Sequence, residues 1–284
     1  MTGRPFVALA IIVHPTTREA ALAMAVHQFD KREADRLDRQ YAIPVIVEQR
    51  RRTLAALNAR EGECVLDVGS GPAFLTADIA RTVGPGGRVC ALDASEPMLE
   101  IGRRRCASFP AVEFQHGNAR RLPYPDASFD AAVAVQVYLY VPELDAALAE
   151  LHRVVRPGGR AIVMDTDWGS TVWNSRDPAR MARVLESWKH RYSHAHMGRV
   201  LPGALRRAGF VIEDAAAVPI VELAATDDAY SGGQLKEIAK FVAGRRGTTA
   251  GEAQAWKDEL LALAASGDYF FSLNRYLFVA RRPA

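Results

Sequence analysis

Two short polar segments carry the clearest chemical pattern in the sequence. Gly69-Ser70-Gly71 ends one short apolar run, and Asp93 ends the next. Two glycines in a turn let a ligand lie directly against the backbone. A carboxylate after the second strand of an α/β sheet accepts hydrogen bonds from the two hydroxyls of a ribose. The pattern indicates a ligand that contains a nucleoside. The alternative role for Asp93 is a helix N-cap, which the sequence assigns to Ser95 instead.

The same turn argues against the common dinucleotide cofactors. The dinucleotide fingerprint needs a third small residue where the next helix opens, and this chain has Phe74 there. Pro72 also removes a backbone amide that could have bound a phosphate. No GxxxxGK sequence followed by Ser or Thr occurs, which excludes P-loop nucleotide hydrolysis. A nucleoside without a pyrophosphate fits these observations best.

Strand-like and helix-like segments alternate through the middle of the chain, which predicts an open, doubly wound α/β sheet. The strand segments are apolar on both faces, as parallel strands covered by helices must be. Ligands bind such sheets beyond the carboxyl ends of the strands. The predicted strands are Cys64–Val68, Val89–Leu92, Val112–Gln115, Phe129–Val137 and Arg160–Met164, and the helices between them are Phe74–Val83, one that begins after Ser95, and Glu143–Val155.

The last third of the chain has a different pattern. Asn174–His194 and Pro202–Ala208 favour helices, whereas Phe210–Pro219 and Tyr269–Ala280 favour two strands without a standard helical crossover. This predicts an antiparallel pair at one edge of a mostly parallel, seven-stranded, Rossmann-like sheet. The predicted segments are an N-terminal helical extension (1–60), a cofactor-binding core (61–220), a helical insertion with the potential to form a lid (221–268) and a last strand of the core (269–284).

Five motifs, in order, resemble those of the class I S-adenosylmethionine-dependent methyltransferases. The motif segments are Val65–Gly71, Ala91–Asp93, residues 117–119 with 122–124, residues 128–130, and Leu151–Gly159 before the fifth strand. The likeness is greatest to the small-molecule branch similar to the enzymes of ubiquinone and menaquinone biosynthesis. The resemblance implies S-adenosylmethionine as cofactor and S-adenosylhomocysteine as product.

The resemblance also implies which residues contact the cofactor. Asp67 and the Gly69-Ser70-Gly71 turn would hold the methionine part, and Asp93 would hold the ribose. Gln136 would line the end where the methyl group is transferred, and Tyr41 would close over the cofactor. The remaining residues assigned to the cofactor are Ala94, Met98, Asn118, Ala119 and Arg120, of which Met98, Asn118 and Ala119 would contact the adenine.

Two positions depart from the family pattern. The family often has a third glycine where this chain has Ala73, a change that we expect to cost little because alanine is small. The family usually has Asp where this chain has Asn118, whose side-chain oxygen accepts a hydrogen bond without a charge. We therefore expect somewhat weaker cofactor binding rather than none.

The acceptor side is less specified by the sequence. Residues that follow the fourth and fifth strands are candidates for binding the substrate, with ordinary packing as the alternative; they are Tyr138, Tyr140, Asp165 and Trp168. His194 and His196 precede Pro202 in a segment that covers the acceptor in relatives, so either is a candidate catalytic base. No HExxH surrounds the histidines, and no metal site is predicted.

Composition narrows the class of protein further. The 284 residues are 49% hydrophobic and 24% charged, as in a globular protein. The longest apolar run, Phe6–Val13, is far shorter than the roughly 20 residues of a membrane-spanning helix. Cys64, Cys90 and Cys106 form no metal motif or disulfide framework, which favours reduced thiols and a cytoplasmic location. A net charge of +3 without a basic stripe argues against nucleic acid as a partner, and a homodimer is compatible with the sequence.

These observations predict an enzyme that moves a methyl group from S-adenosylmethionine to an oxygen, nitrogen or carbon atom of a small molecule by in-line displacement. One alternative is an RNA or protein methyltransferase, although the sequence contains no Asn-Pro-Pro-Tyr type motif and no added basic domain. A second alternative is a binding module that holds the cofactor without turnover.

Overall fold

The computed structural model describes residues 38–226 and 228–284, and these form one seven-stranded sheet. The strands are β1 (Cys64–Val68), β2 (Arg88–Asp93), β3 (Val112–His116), β4 (Phe129–Val135), β5 (Val155–Trp173), β6 (Val211–Glu222) and β7 (Phe271–Arg281). Their order across the sheet is β3-β2-β1-β4-β5-β7-β6. Strands β1 to β5 pair in parallel, and β7 pairs antiparallel with both β5 and β6. The predicted fold class, with its antiparallel edge, is confirmed.

Helices cover the sheet on both faces. The described helices are α1 (Pro44–Leu57), α2 (Phe74–Val83), α3 (Glu96–Arg105), α4 (Leu144–Val154), α5 (Pro178–Lys189), α6 (Met197–Arg207), α7 (Tyr230–Val242) and α8 (Ala250–Ser266), with a 3₁₀ turn at Tyr138–Tyr140. Residues 1–37 of the predicted N-terminal extension lie outside the described residues. The division into four segments stays a prediction.

Alternation along the strands builds two cores. Neighbouring strand residues point to opposite faces of a sheet. Val65 therefore packs with Ile79 of α2 on one face, whereas Leu66 packs with Leu148 of α4 and Leu205 of α6 on the other. All five side chains are fully buried. The carboxyl ends of β1, β2 and β4 are thus held at one edge of a rigid layer, as a ligand site there requires.

The helical insertion packs into the same core as the sheet. Trp256 of α8 is fully buried and meets the ring of Trp173, at the end of β5, edge to face at 5.5 Å. Its indole N–H donates to the Met181 sulfur of α5 at 3.2 Å. Helix α8 is therefore anchored on the sheet.

Strands β4 and β5 both end at residues other than those predicted. Strand β4 stops at Val135 instead of Val137, because Gln136 takes a left-handed backbone conformation with φ of 60°. Strand β5 continues well past Met164 to Trp173, because β7 pairs along it as far as Trp173↔Phe271, with an irregularity after Asp167. A long antiparallel partner was not visible in the local apolar pattern.

Helices α5 and α6 also differ from the prediction. Helix α5 begins after Asp177, whose carboxylate accepts from the Arg180 amide, and it ends at Lys189 rather than His194. Helix α6 begins at Met197 rather than Pro202, so Pro202 lies inside the helix. The prediction of Pro202 as a helix start was wrong. Met197 and Leu201 are buried one turn apart and stabilise a turn that precedes the proline.

The described helices include none that is long and apolar enough to cross a membrane. Within the same described ranges, no group of three or more His, Cys, Asp or Glu side chains is placed to hold a metal ion.

The burial of Trp256 gives a test of this architecture. Trp256→Ala removes a fully buried aromatic side chain and should lower the free energy of unfolding by about 3–5 kcal/mol. Leu261→Ala on the same helix, where the side chain is 42% exposed, should change it by about 0.5 kcal/mol or less. Urea denaturation followed by circular dichroism measures both. Equal, small effects would show that the insertion is not part of the core.

Candidate active site

The glycine turn is tied to the end of β2 by backbone hydrogen bonds. The amides of Gly69 and Ser70 both donate to the Leu92 carbonyl, at 2.7 and 3.0 Å. The Gly71 amide donates to Asp93 Oδ2 at 2.8 Å. All three amides are satisfied within the protein. The turn therefore offers a ligand space beside the backbone rather than a set of free N–H donors.

Positive φ angles shape the space around the turn. Gly69 has φ of 68°, and a Cβ there would come within 2.4 Å of Val137 Cγ2, so only glycine fits. Gly71 has φ of 53°, and a Cβ there would meet nothing within 4 Å, so open space lies above it. Ala73 also has φ of 62°. We expected alanine at this position to cost little, but its left-handed backbone conformation lowers the stability of the folded state by about 1–2 kcal/mol.

Asp93 is held by the backbone on both of its oxygens. Oδ2 accepts from Gly71, and Oδ1 accepts from the Ser95 amide at 2.8 Å. Ser95 lies at the N-cap position of α3, as predicted, although its side chain makes no capping hydrogen bond. Each carboxylate oxygen has a second lone pair left for a ligand. Burial raises the pKa of Asp93, and the hydrogen bonds from Ser95 and Gly71 oppose that shift.

Asp67 lies at the end of β1, beneath the turn. The carboxyl is buried, and Oδ2 accepts from the Thr76 hydroxyl of α2 at 2.6 Å. Burial raises the pKa of Asp67 to about 7; the Thr76 hydrogen bond opposes this and the charge of Asp93 adds to it. A cation placed nearby would stabilise its ionised form.

Ser70 supplies an independent sign of a polar ligand at this turn. Its side chain is 8% exposed, and its hydroxyl oxygen has no hydrogen-bond partner. Buried hydroxyls usually have a hydrogen-bond partner, so an unpaired one indicates a place where a ligand group supplies the missing hydrogen bond. A nucleoside cofactor would fit this turn, because it could use the unpaired Ser70 hydroxyl, the open space above Gly71 and the remaining lone pairs of Asp93.

A cavity of about 90 Å³ lies beside this turn, at the ends of β4 and β5. Aromatic side chains and amides dominate its lining, with one cation. The lining residues are Gln40, Tyr41, Ile46, Gln49, Gln136, Leu139, Tyr140, Trp168, Tyr192, Tyr230, Gln234 and Arg275. The cavity therefore joins α1, the β4 and β5 ends, α7 and β7.

Tyr41 connects the cavity to the glycine turn. It lines the cavity, and its ring stacks on Phe74, the first residue of α2, with centroids 6.3 Å apart. Burial raises the pKa of Tyr41, and the charges of Asp93 and Asp67 raise it further. The space above the glycine turn and the cavity are therefore neighbours on either side of one tyrosine.

Gln136 is fixed at the cavity wall. Its strained backbone amide donates to the Met164 carbonyl at 2.8 Å, and its Oε1 accepts from the Thr166 hydroxyl at 2.6 Å. Residues in left-handed conformations with large side chains cluster at functional sites, where the strain holds a group in place.

Comparison with known proteins now decides the family. Residues 66–163 match the sequence model of the family described as "Methyltransferase domain". The match begins inside β1 and contains the glycine turn, Asp93 and Gln136. This segment is a class I methyltransferase domain. The family recognised from the motifs is thereby confirmed.

Relatives of the methyltransferase domain agree with this. A 37.1 kDa protein of transposon TN4556 in Streptomyces fradiae, described as uncharacterized, is 34% identical over 234 residues, which is 80% of this chain and 65% of that protein. Demethylmenaquinone methyltransferase of Staphylococcus epidermidis is 38% identical over 117 residues, 41% of this chain and 48% of that enzyme. The chain thus spans less than two thirds of the length of either relative.

A solved structure shows the same fold. Phosphoethanolamine N-methyltransferase 2 of Haemonchus contortus, in complex with phosphomonomethylethanolamine and S-adenosylhomocysteine, aligns with a TM-score of 0.57 at 17% identity. The alignment covers 91% of this chain and 58% of that chain. At this identity the likeness concerns the fold alone.

The structure brings part of the predicted methyltransferase site together. Tyr41, Gln136, Tyr140 and Trp168 all line the cavity. Sequence reasoning placed Tyr230 and Gln234 in the potential lid, and it missed Tyr192, Gln49 and Arg275. Of the residues missed, only Arg275 could have been found from the sequence, because it falls in the alternating series of buried positions along β7, with Phe271, Leu273 and Leu277. The roles assigned to these residues stay predictions.

Four other predicted residues do not line the cavity. Tyr138 is fully buried in the core, and Asp165 is fully buried with Oδ2 accepting from the Tyr138 amide at 3.1 Å. His194 Nε2 lies 3.2 Å from the Pro142 carbonyl oxygen, and His196 Nδ1 lies 3.3 Å from Asp167 Oδ1. The structure brings neither of these two histidines to the cavity, because the His194 ring lies against the Pro142 carbonyl and the His196 ring against Asp167 of β5.

The predicted adenine contacts lie after β2 and β3. Met98 and Ala119 are buried, and the Ala94 carbonyl oxygen lies 3.0 Å from His116 Nε2. Asn118 Oδ1 accepts from the Arg120 amide at 2.9 Å, and Arg120 pairs with Glu143 at 2.8 Å. An adenine amino group would share the Asn118 oxygen with the Arg120 amide. The weaker cofactor binding expected for Asn at this position stays a prediction.

The contact of Gly69 with Val137 predicts a steric effect of mutation. Gly69→Ala should lower the free energy of unfolding by about 1–3 kcal/mol more than Gly71→Ala does. Both alanines take a left-handed φ, but only the one at position 69 clashes with Val137. A Val137→Ala background should remove most of the difference. Denaturant unfolding of the four variants measures it. Equal losses for the two glycines would contradict the packing described.

The raised pKa of Asp67 predicts a pH effect on stability. An unfolded Asp has a pKa near 3.9 and the folded carboxyl has one of about 7, so the folded state holds the proton more tightly. The contribution of Asp67 to stability is therefore largest below about pH 4, falls as the pH rises toward 7 and is constant above it. The free energy of unfolding of wild type should therefore fall relative to that of Asp67→Asn between about pH 4 and pH 7.

A second variant checks the cause of that pH effect. The Thr76 hydroxyl lowers the pKa of Asp67, so Thr76→Val should move the fall in stability to higher pH. Parallel pH profiles for wild type and Asp67→Asn would show that Asp67 does not titrate in this range.

Proposed function

We propose that this protein transfers a methyl group from S-adenosylmethionine to a small molecule that binds in the cavity beside the glycine turn. One observation carries the proposal. Tyr41 stacks on Phe74 next to the turn and also lines the cavity. A cofactor above Gly71 and an acceptor in the cavity would therefore be adjacent, as direct transfer requires.

The residues present suit S-adenosylmethionine. Asp93 would accept hydrogen bonds from the ribose hydroxyls, the Ser70 hydroxyl would gain a partner, and Asp67 would lie near the positive charges of the methionine part. When bound, the cofactor supplies a methyl group on a positively charged sulfur, which is already electrophilic. The protein has to orient the acceptor and exclude water. Tyr41 and Gln136 stand between the two compartments and are placed for that orientation.

The cavity favours a small acceptor. Its volume is about 90 Å³, and Tyr230 and Gln234 of α7 close one side of it. A nucleic acid strand or a protein surface would need α7 to be displaced. The similarity to a demethylmenaquinone methyltransferase supports an acceptor that contains a ring. The acceptor would enter with one group beside Gln136.

The cavity contains no obvious general base among the described residues. Its ionisable groups are Tyr41, Tyr140, Tyr192, Tyr230 and Arg275. Burial raises the pKa of Tyr41, Tyr140 and Tyr192, so these phenols act as hydrogen-bond donors near neutral pH. An acceptor that arrives already ionised would need no base from the protein.

Binding of S-adenosylhomocysteine tests the cofactor site. Asp93→Asn should weaken binding by about 1.5–3 kcal/mol, the value of hydrogen bonds to a charged group. Glu96→Gln, an exposed acid nearby that pairs with Arg103, is the matched control and should bind as wild type does. Because Asp93 also holds Gly71, a 2′-deoxy analogue should be titrated as well. The loss caused by removing the 2′-hydroxyl should shrink in Asp93→Asn.

Turnover requires a separate measurement. Purified protein with methyl-labelled S-adenosylmethionine should label components of a small-metabolite extract and leave RNA and protein fractions unlabelled. Label in RNA or protein alone would favour a macromolecular acceptor. Tight cofactor binding with no label in any fraction would indicate a binding module without turnover.

A further inference from the structure

Two unpaired nitrogen donors belong to residues that line the cavity. Arg275 of β7 is 5% exposed, and its Nε has no hydrogen-bond partner. Trp168, near the end of β5, is 4% exposed, and its indole Nε1 has none either. Buried polar groups are nearly always paired. Two unpaired donors at one cavity therefore point to a ligand that brings acceptor atoms.

Arg275 also lacks an anionic partner. Its Nη1 donates to the side-chain oxygen of Gln49, and its guanidinium lies 5.1 Å from the ring centre of Tyr230. Among residues 38–226 and 228–284, no carboxylate lies within ion-pair distance of it. A buried guanidinium without a counter-charge is costly. A ligand anion would remove that cost.

The guanidinium lies on the side of the sheet where the methyl group would be transferred. Arg275 pairs with Thr166 across β5 and β7, and paired residues of antiparallel strands point to the same face. The Thr166 hydroxyl donates to Gln136 Oε1. Arg275 and Gln136 thus flank the same space.

Aromatic side chains define the rest of that space. The ring of Trp168 stacks on Tyr192, with centroids 5.3 Å apart and planes at 18°. Tyr140 and Tyr230 line other walls. Such walls favour a flat, unsaturated body. The volume of about 90 Å³ encloses no more than one small ring.

We propose that the methyl acceptor is a ring compound with an acidic oxygen, a carboxylate or a phenolate, and that Arg275 binds this oxygen while the aromatic walls hold the ring. The inference rests on the proposed methyl transfer, and it adds the substrate class. Arg275 is an acceptor-binding residue in this view, and the Trp168 N–H is a second donor toward the same ligand.

The proposal also supplies the missing base when the acidic group is a phenol that is itself methylated. The phenol proton passes to solvent before the site closes, and Arg275 stabilises the remaining oxyanion. The oxyanion then forms an O–C bond to the methyl group as the C–S bond breaks, and the bonding pair goes to sulfur. A neutral methyl ether and a neutral thioether result. When the acidic group is a carboxylate, Arg275 only positions the ring.

Titration of small ring anions tests the proposal. The protein, saturated with S-adenosylhomocysteine, is titrated with benzoate and its neutral counterpart benzamide, and with 4-nitrophenolate and its neutral counterpart 4-nitroanisole. Wild type should prefer at least one anion over its neutral counterpart by about tenfold or more. The pair that shows the preference tells a carboxylate from a phenolate.

Variants assign the preference to Arg275. Arg275→Gln should lose the preference for the anion, and Arg275→Lys should keep part of it because the charge remains. Arg281→Gln, at the exposed end of the same strand, should behave as wild type does. S-adenosylhomocysteine should bind all four proteins equally, because Arg275 is not part of the cofactor turn.

The outcomes separate the two proposals. No anion preference in wild type, or a preference that survives in Arg275→Gln, overturns the acceptor class while cofactor binding stands. Failure of wild type to bind S-adenosylhomocysteine overturns the proposed function itself. Loss of cofactor binding in Arg275→Gln but not in Arg275→Lys would show a disturbed fold. The anion preference of Arg275→Lys then decides: a preference that is kept in part or in full supports the proposal, and the absence of any preference overturns it.

Discussion

The hydrogen bonds from the turn after β1 to the tip of β2 are the constraint on which the site depends. Leu92 and Asp93 hold three successive amides of that turn, so the two strand ends form one unit. This fixes Gly71 with open space above it and presents the Asp93 carboxylate from the side. The turn is also pressed against Val137, at the end of β4. Three strand tips therefore share one rigid junction, and a ligand above it meets a preformed surface.

The cavity uses a different principle from the turn. Every amide of the turn is satisfied by the protein itself, whereas the cavity residues Arg275 and Trp168 carry unpaired donors. Such a site costs stability in the absence of ligand. The large apolar core, which joins the sheet to α7 and α8, offsets that cost. The ring of Tyr230 in α7 packs against that of Phe271 in β7, with centroids 6.2 Å apart, which holds Tyr230 at the cavity wall.

The sequence predicted the parts of the fold that local patterns determine. Apolar runs that end at glycine or aspartate predicted β1, β2 and the glycine turn, because each strand and its turn are contiguous in the chain. The length of β5 was not predictable in the same way, since its second half is stabilised by pairing with β7, about a hundred residues later. The start of α6 was missed because Met197 and Leu201 outweigh the helix-breaking tendency of Pro202.

The residues that line the cavity were predictable only in part, for a related reason. Tyr140 and Trp168 follow strand ends and could be chosen by position. Arg275 and Tyr230 come from the last strand and the inserted helix, and only the tertiary fold places them together. Asp165 also follows a strand end, but its carboxyl accepts from the Tyr138 amide and is sealed in the core. Position after a strand is therefore not sufficient to identify a site residue, and Arg275 and Tyr230 show that it is not necessary either.

The unpaired donors have a consequence for selectivity. A site that lacks hydrogen-bond acceptors for its own buried donors rejects a ligand that leaves them unpaired, because the desolvation cost is then not recovered. Apolar walls alone discriminate weakly between similar rings. Here the aromatic walls would admit many flat molecules, and the guanidinium of Arg275 would select among them by charge. Separate elements would thus recognise shape and charge: α7 and β5 supply the aromatic walls, and β7 supplies the cation.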